Sequence, residues 1–194
     1  MATERAQTAA YTAVMTAARP PIDLKSYIRN VPDFPQPGVL FRDITPLLLD
    51  PNAYRFAVDE LTRRIGALAP DAIVGIESRG FLFGAPVAYK LGVPFAPVRK
   101  GGKLPAERMS VEFALEYGEG QLDIHADALE RGQQVVIVDD LLATGGTAAA
   151  TAKLVELLGA EVKAMVFLVE LSFLGGRERL KGHQIISLIG YREE

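Results

Sequence analysis

Two adjacent carboxylates followed by a glycine-threonine run offer the clearest chemistry in this 194-residue chain: Asp139 and Asp140, then Leu141, Leu142, Ala143, Thr144, Gly145, Gly146 and Thr147. A glycine-bearing loop that enters a helix turns free backbone N–H groups and the positive end of the helix dipole toward an anion. Thr144 and Thr147 add hydroxyl donors. The loop has no lysine and is shorter than the triphosphate loop GxxxxGK[ST], so it suits a single phosphate group. Two acids beside that phosphate would repel it unless something lies between them. A sugar diol fits, because ionised carboxylates only accept hydrogen bonds and a ribose 2′,3′-diol has two to donate. A phosphorylated ribose would place its phosphate on 144–147 and its hydroxyls on Asp139 and Asp140, and a magnesium ion could share that edge. An Asp-Asp pair alone would do no more than solvate a strand end and open a turn. The ATGGT run directly after it favours the ligand.

The flanking sequence positions these groups. Val135, Val136, Ile137 and Val138 are four β-branched residues without polar alternation, which suits a strand buried on both faces of a parallel sheet; helix formers follow the loop through Leu158. The same order recurs earlier. Residues 72–76 read as a buried strand, then come Glu77, Ser78, Arg79 and Gly80, then a helix through Leu91 ended by Gly92. Arg79 at such a strand end could grip a polyanion, or simply pair with Glu77 or another surface acid. A third strand at 95–98 ends in Arg99 and Lys100, followed by Gly101, Gly102, Lys103, Leu104 and Pro105, and the segment to Glu112 shows no convincing period. This reads as a solvated charged loop, or as a cationic flap whose Lys103 closes over an anion and excludes water.

Residues 113–125 read as strand, turn, strand, with Glu116 set between Leu115 and Tyr117 as an isolated carboxylate in an apolar stretch. An outward-facing strand acid would explain it equally. Strands at 162–168 and 185–189, separated by a turn at Gly175 and Gly176, bring the sheet to about five principal strands. Asp50 and Pro51 begin a packing helix carrying Tyr54, Val58, Leu61, Ile65 and Leu68 at helical spacing. Residues 28–43 hold three prolines and a glycine and read as rigid, non-helical chain, either a connection over one core edge or a hood over the ligand edge. Lys181 and His183 read as surface residues.

Composition narrows the class. With 49% hydrophobic residues and a mean hydropathy of +0.16, one globular domain is expected. A net charge of −3 argues against nucleic acid as the main partner, and the absence of cysteine excludes disulfides, thiolate metal sites and cysteine nucleophiles. His125 and His183 are too few for a histidine-rich metal site, and no apolar run approaches a membrane span. Residues 1–21, rich in Ala and Thr, are expected to be a disordered extension, with an amphipathic targeting peptide as the alternative.

VVIVDDLLATGGT resembles the ribose-5-phosphate and pyrophosphate signature of type I phosphoribosyltransferases. GIESRGFLFG is similar to that family's pyrophosphate loop, RKGGKLP to its flap, LEYG to its catalytic segment and PDFPQPGVLFRDIT to its base-binding hood, so the resemblance covers about residues 24–191. It implies an α/β fold of the type I phosphoribosyltransferase kind, a central mostly parallel sheet flanked by helices. A single domain would span 22–194, with a small N-terminal hood at about 24–45 and a flexible catalytic loop at about 99–115. It further implies transfer of a 5-phosphoribosyl group from 5-phosphoribosyl 1-diphosphate to adenine, giving AMP and diphosphate, in a cytoplasmic homodimer. The alternatives are another purine as acceptor, or a non-catalytic sensor of the sugar diphosphate.

Carried over by position, Asp139, Asp140, Ala143, Thr144, Gly145, Gly146, Thr147, Ser78, Arg79, Arg99, Lys100 and Lys103 would bind the sugar diphosphate. Leu40 and Arg42 would offer backbone groups to adenine, with Phe41 and Leu141 packing near the base. Glu116 would exchange a proton with N7 of adenine, and Tyr117 would shape the same pocket. Mg2+ would be held mainly by the substrate near Asp139 and Asp140, without dedicated protein ligands. Gly101 and Phe113 depart from the family's usual bulkier residue and tyrosine, which bears on flap closure.

Overall fold

The computed structural model describes residues 22–114 and 119–193. Among these the chain forms β1 (Arg29–Val31), β2 (Phe41–Asp43), α1 (Thr45–Leu49), α2 (Pro51–Gly66), β3 (Ala72–Ile76), α3 (Phe81–Leu91) and β4 (Phe95–Lys100). It continues through β5 (Arg108–Ala114), β6 (Glu119–His125), β7 (Gln134–Leu142), α4 (Gly146–Leu157), β8 (Glu161–Leu171), α5 (Gly176–Arg179) and β9 (Ile185–Tyr191). Glu116 and Tyr117, and the extension 1–21, lie outside the described residues.

The unbroken apolar run in β7 is covered on both faces, as its composition requires. Val136 and Val138 join a core with α2 and α3, while Val135 and Ile137 join a second core with α4. All four are fully buried, each worth about 1.5–3 kcal/mol by removal from water. The result is three layers, with the sheet between helices. Asp50 caps α2 by accepting from the amides of Asn52 and Ala53 at 2.9 and 2.8 Å, and Gly92 ends α3 at φ +69°, where its missing Cβ permits the left-handed turn.

The main sheet has seven strands in the order β5-β6-β4-β3-β7-β8-β9. The five expected strands are its parallel part, β4-β3-β7-β8-β9, and the hairpin β5–β6 extends it antiparallel beyond β4. This corrects the expectation that the segment up to Glu112 lacks regular structure. Met109, Val111 and Phe113 alternate with Ser110 and Glu112 in β5, a period of two that the charged residues before it obscure. Residues 28–43 are non-helical as expected, yet they also pair as a small ribbon, with Arg29 opposite Asp43 and Val31 opposite Phe41.

Strand order places the ligand crevice. From β3 the chain crosses to β4 on one side, and from β7 it crosses to β8 on the other. The loops after β3 and β7 therefore diverge, leaving an opening at the carboxyl ends of these two strands, where open α/β sheets bind ligands.

Candidate active site

β7 runs four residues past Val138, so Asp139 and Asp140 lie within the strand rather than after its end. Pairing with β3 stops at Gly75 opposite Val138, which leaves both acids facing the 77–80 loop. Gly80 makes this approach possible. A Cβ there would stand 2.6 Å from the carbonyl oxygen of Ile76, 2.8 Å from that of Val138 and 2.9 Å from Asp139 Oδ1. The peptide between Glu77 and Ser78 is cis.

A cavity of about 760 Å³ opens between the two loops. Of the expected residues, Ser78, Arg79, Lys100, Asp139, Asp140, Leu141 and all of 143–147 line it. Leu40, Phe41, Arg42, Arg99 and Lys103 do not belong to this lining. Phe41 nevertheless touches its edge, with the Arg79 guanidinium 5.4 Å from its ring centroid. The Arg42 side chain is buried under the hood, 4.1 Å over the Tyr191 ring and bonded to Asn30 Oδ1 at 2.5 Å. Phe113, Gly120, Gln121 and Leu122 complete the wall from β5 and β6, contributions that only the hairpin's placement reveals.

The charges of the site are arranged in pairs. Arg79 Nε lies 2.9 Å from Asp140 Oδ2, a charge contact without an aligned hydrogen bond. Glu77, expected as a partner for Arg79, instead collects the flap cations. Arg99 Nε is 3.3 Å from its Oε2, the amide of Lys100 donates to the same oxygen at 3.0 Å, and Lys103 Nζ donates to Oε1 at 2.5 Å. Burial alone would raise the Glu77 carboxyl, but Lys103, the Lys100 amide and Arg99 outweigh it and bring the pKa down to about 2. Deeper in the flap, the buried Asp123 accepts from the amide of Gly102 at 2.8 Å, from Ser110 Oγ at 2.8 Å and from Gln121 at 2.7 Å, with Arg108 at 3.2 Å.

Asp139 and Asp140 behave oppositely. Burial, then the charge of Asp140, pushes the Asp139 carboxyl well above the carboxylate range, and burial also raises Asp140 despite Arg79. Two partly dehydrated acids side by side favour partners that restore their charge: hydroxyl donors or a hard cation. Among the described residues no group of three or more His, Cys, Asp or Glu is placed to hold a metal. Asp140 Oδ2, buried and lacking an aligned donor, fits an oxygen ligand for a cation that brings most of its coordination from elsewhere.

The loop after β7 meets α4 with Gly145 at φ +80°, a left-handed conformation that sets the amides of 145–147 at the start of α4. An acid pair, a glycine-bearing helix start and cations at the neighbouring strand end meet around one cavity at the switch point of a parallel sheet, an arrangement of the phosphoribosyltransferase kind. Residues 48–181 match the phosphoribosyl transferase domain, and the chain belongs to that family. Within it the chain falls among the adenine phosphoribosyltransferases, which form AMP and diphosphate from adenine and 5-phosphoribosyl 1-diphosphate. It is 57% identical over 170 residues to the enzyme of that name from Carboxydothermus hydrogenoformans, covering 88% of this chain and 100% of the relative. The crystal structure of the Thermoanaerobacter pseudethanolicus enzyme superposes with a TM-score of 0.85 at 56% identity, covering 87% of this chain and 98% of that one. That of the Saccharomyces cerevisiae enzyme, complexed with an imino-altritol bisphosphate and adenine, gives 0.82 at 41% identity, covering 85% and 96%.

Proposed function

We propose that the crevice between β3 and β7 holds 5-phosphoribosyl 1-diphosphate with its 5-phosphate on Ala143, Thr144, Gly145, Gly146 and Thr147, its diol on Asp139 and Asp140, and its diphosphate toward Ser78, Arg79 and Lys100. The observation that carries this reading is the shared lining of one cavity by the acid pair, the Thr-Gly loop and Arg79. As the bond from C1 to the diphosphate oxygen breaks, positive charge grows on the ribose ring and negative charge on the departing diphosphate. Asp139 and Asp140 face the first, and Arg79 and Lys100 face the second. Lys103 and Arg99, held at the rim on Glu77, which itself lines the cavity, would join the diphosphate once the flap moves. Mg2+ would be held mainly by the substrate near Asp139 and Asp140 and would supply neutralisation of the leaving group's charge.

Adenine is the nucleophile, and N9 forms the new bond to C1 as the diphosphate leaves. Phe41, Leu141 and the backbone of Leu40 and Arg42 would hold the base, a flat neutral ring best met by apolar faces and fixed amides. Glu116, with Tyr117 beside it, would take or relay the proton made more acidic as N9 attacks, an effect on the order of 100- to 10,000-fold. Glu116→Gln is expected to lower kcat by that order while leaving sugar-diphosphate affinity little changed. An equal loss in both would remove the proton role. A homodimer and a cytoplasmic location belong to the same reading, and light scattering checks the first. The direct test supplies adenine, hypoxanthine, guanine and xanthine in competition: adenine should be consumed, and only when phosphoribosyl diphosphate and Mg2+ are both present.

A further inference from the structure

The phosphate loop rests on a second turn from outside the cavity. Gly176, the first residue of α5, lies so close that a Cβ on it would stand 2.2 Å from the carbonyl oxygen of Ala143, and a Cβ on Gly145 would stand 2.8 Å from the carbonyl oxygen of Gly176. Backbone meets backbone in both directions, so neither glycine accepts a side chain without moving the loop. The next residue, Arg177, forms a two-pronged pair with Glu170, Nε to Oε1 and the terminal NH2 to Oε2, both at 2.7 Å. Glu170 sits in β8 opposite Leu142, the last residue before the phosphate loop, and is 5% exposed. Its remaining oxygen valences are filled by Ser187 Oγ at 2.7 Å and Ser172 Oγ at 3.2 Å, and Arg177 also donates to the carbonyl of Ile185 at 3.3 Å.

A buried, fully partnered carboxylate gripping an arginine in fork geometry fixes direction as well as distance. Glu170 and Arg177 are both absent from the cavity lining. Their pair pins the 172–179 turn to β8 and β9, and the turn in turn presses Gly176 against the loop. We infer that Glu170, Arg177 and Gly176 are positioning residues for the sugar phosphate: through the contact of Gly176 with Ala143 and Gly145 they set the phosphate loop and hence its affinity for the 5-phosphate. This rests on the reading that 143–147 hold that phosphate.

The test is calorimetric titration of the full chain with ribose 5-phosphate and, separately, with magnesium diphosphate, alongside steady-state kinetics. Gly176→Ala should weaken ribose 5-phosphate about tenfold or more and raise KM for phosphoribosyl diphosphate, with kcat and diphosphate affinity changed little. Glu170→Gln should shift the same ligand in the same direction by a smaller factor. Arg177→Lys should recover part of what Arg177→Gln loses. Thr144→Ala, within the cradle, is the control. If it weakens ribose 5-phosphate while Glu170→Gln and Gly176→Ala do not, the positioning role falls and the cradle stands; if it has no effect, the cradle assignment itself falls. Equal weakening of both ligands in Glu170→Gln would show general destabilisation and overturn the inference. Should Gly176→Ala fail to fold, Glu170→Gln and the Arg177 pair of variants decide it by the same split.

Discussion

The two sides of the crevice are built differently. On the cradle side, Gly145, Gly176 and the carbonyl of Ala143 meet at backbone contact, and the loop is fixed by shape. On the rim side, position comes from charge: Arg79 rests on Asp140, and Arg99 and Lys103 rest on Glu77. The difference matches what each side must do if, as proposed, 143–147 hold the 5-phosphate and the rim cations hold the diphosphate. A 5-phosphate stays attached to the ribose from substrate to product, so a fixed cradle loses nothing. Diphosphate arrives with the substrate and leaves after bond cleavage, so its cations must exchange partners. Carboxylates keep those cations in place meanwhile, without leaving a charge uncompensated at a half-buried rim.

The largest effect should come from the acids shared by both sides. Asp139→Asn with Asp140→Asn is expected to lower kcat on the order of a thousandfold, as loss of groups aimed at developing charge does. Thermal melting of the same variant should be unchanged or raised, because burial disfavours both carboxylates and the charge of Asp140 further disfavours that of Asp139. Near-normal turnover would break the diol assignment and with it the comparison. Next, Gly145→Ala combines a left-handed backbone with a 2.8 Å approach to Gly176, and should cost ribose 5-phosphate affinity about a hundredfold. That loss should be the same at low and high salt. Lys103→Ala should cost about tenfold in kcat/KM for phosphoribosyl diphosphate at low salt and less near 1 M, since exposed charges are screened there over roughly 3 Å. If both variants respond to salt alike, shape and charge are not divided between the sides as described.

Acid titration sharpens the rim further. The Glu77 pKa is depressed from its ordinary 4.5 to about 2, so the stability it supplies is complete above the unfolded value and is lost as pH falls through the folded one. Glu77→Gln should therefore flatten the melting temperature against pH between those two values and leave it parallel to the parent above them. Glu60 has a similarly lowered pKa of about 2, held first by Arg63 and then by Arg64, but on the helix surface away from the crevice. Glu60→Gln should change stability by less than about 1 kcal/mol and kcat not at all, the smallest effect of the series.

Much of this was legible in the chain. The run at 135–138 dictated a strand buried on both faces, Asp50-Pro51 dictated a helix start, and the ATGGT run after two acids dictated a strand, loop and helix start that share one cavity with those acids, all from local periodicity and backbone chemistry. The strand at 108–114 was hidden because the glycines and charged residues at 99–108 run into it without a break, and its short alternation gains a pairing edge only from β6. Glu77 was undervalued because its partners stand at 99, 100 and 103, across a strand crossing. Gly176 looked like an ordinary turn residue, since the atoms that forbid a side chain there belong to Ala143 and Leu142.

The sequence by itself determined what chemistry each group offers, because hydrogen-bonding capacity, charge and backbone freedom are properties of single residues and short runs. Only the tertiary structure decided which cation rests on which acid and which distant turn supports the phosphate loop. Those depend on strand order, and strand order brings together residues whose separation along the chain carries no local signal.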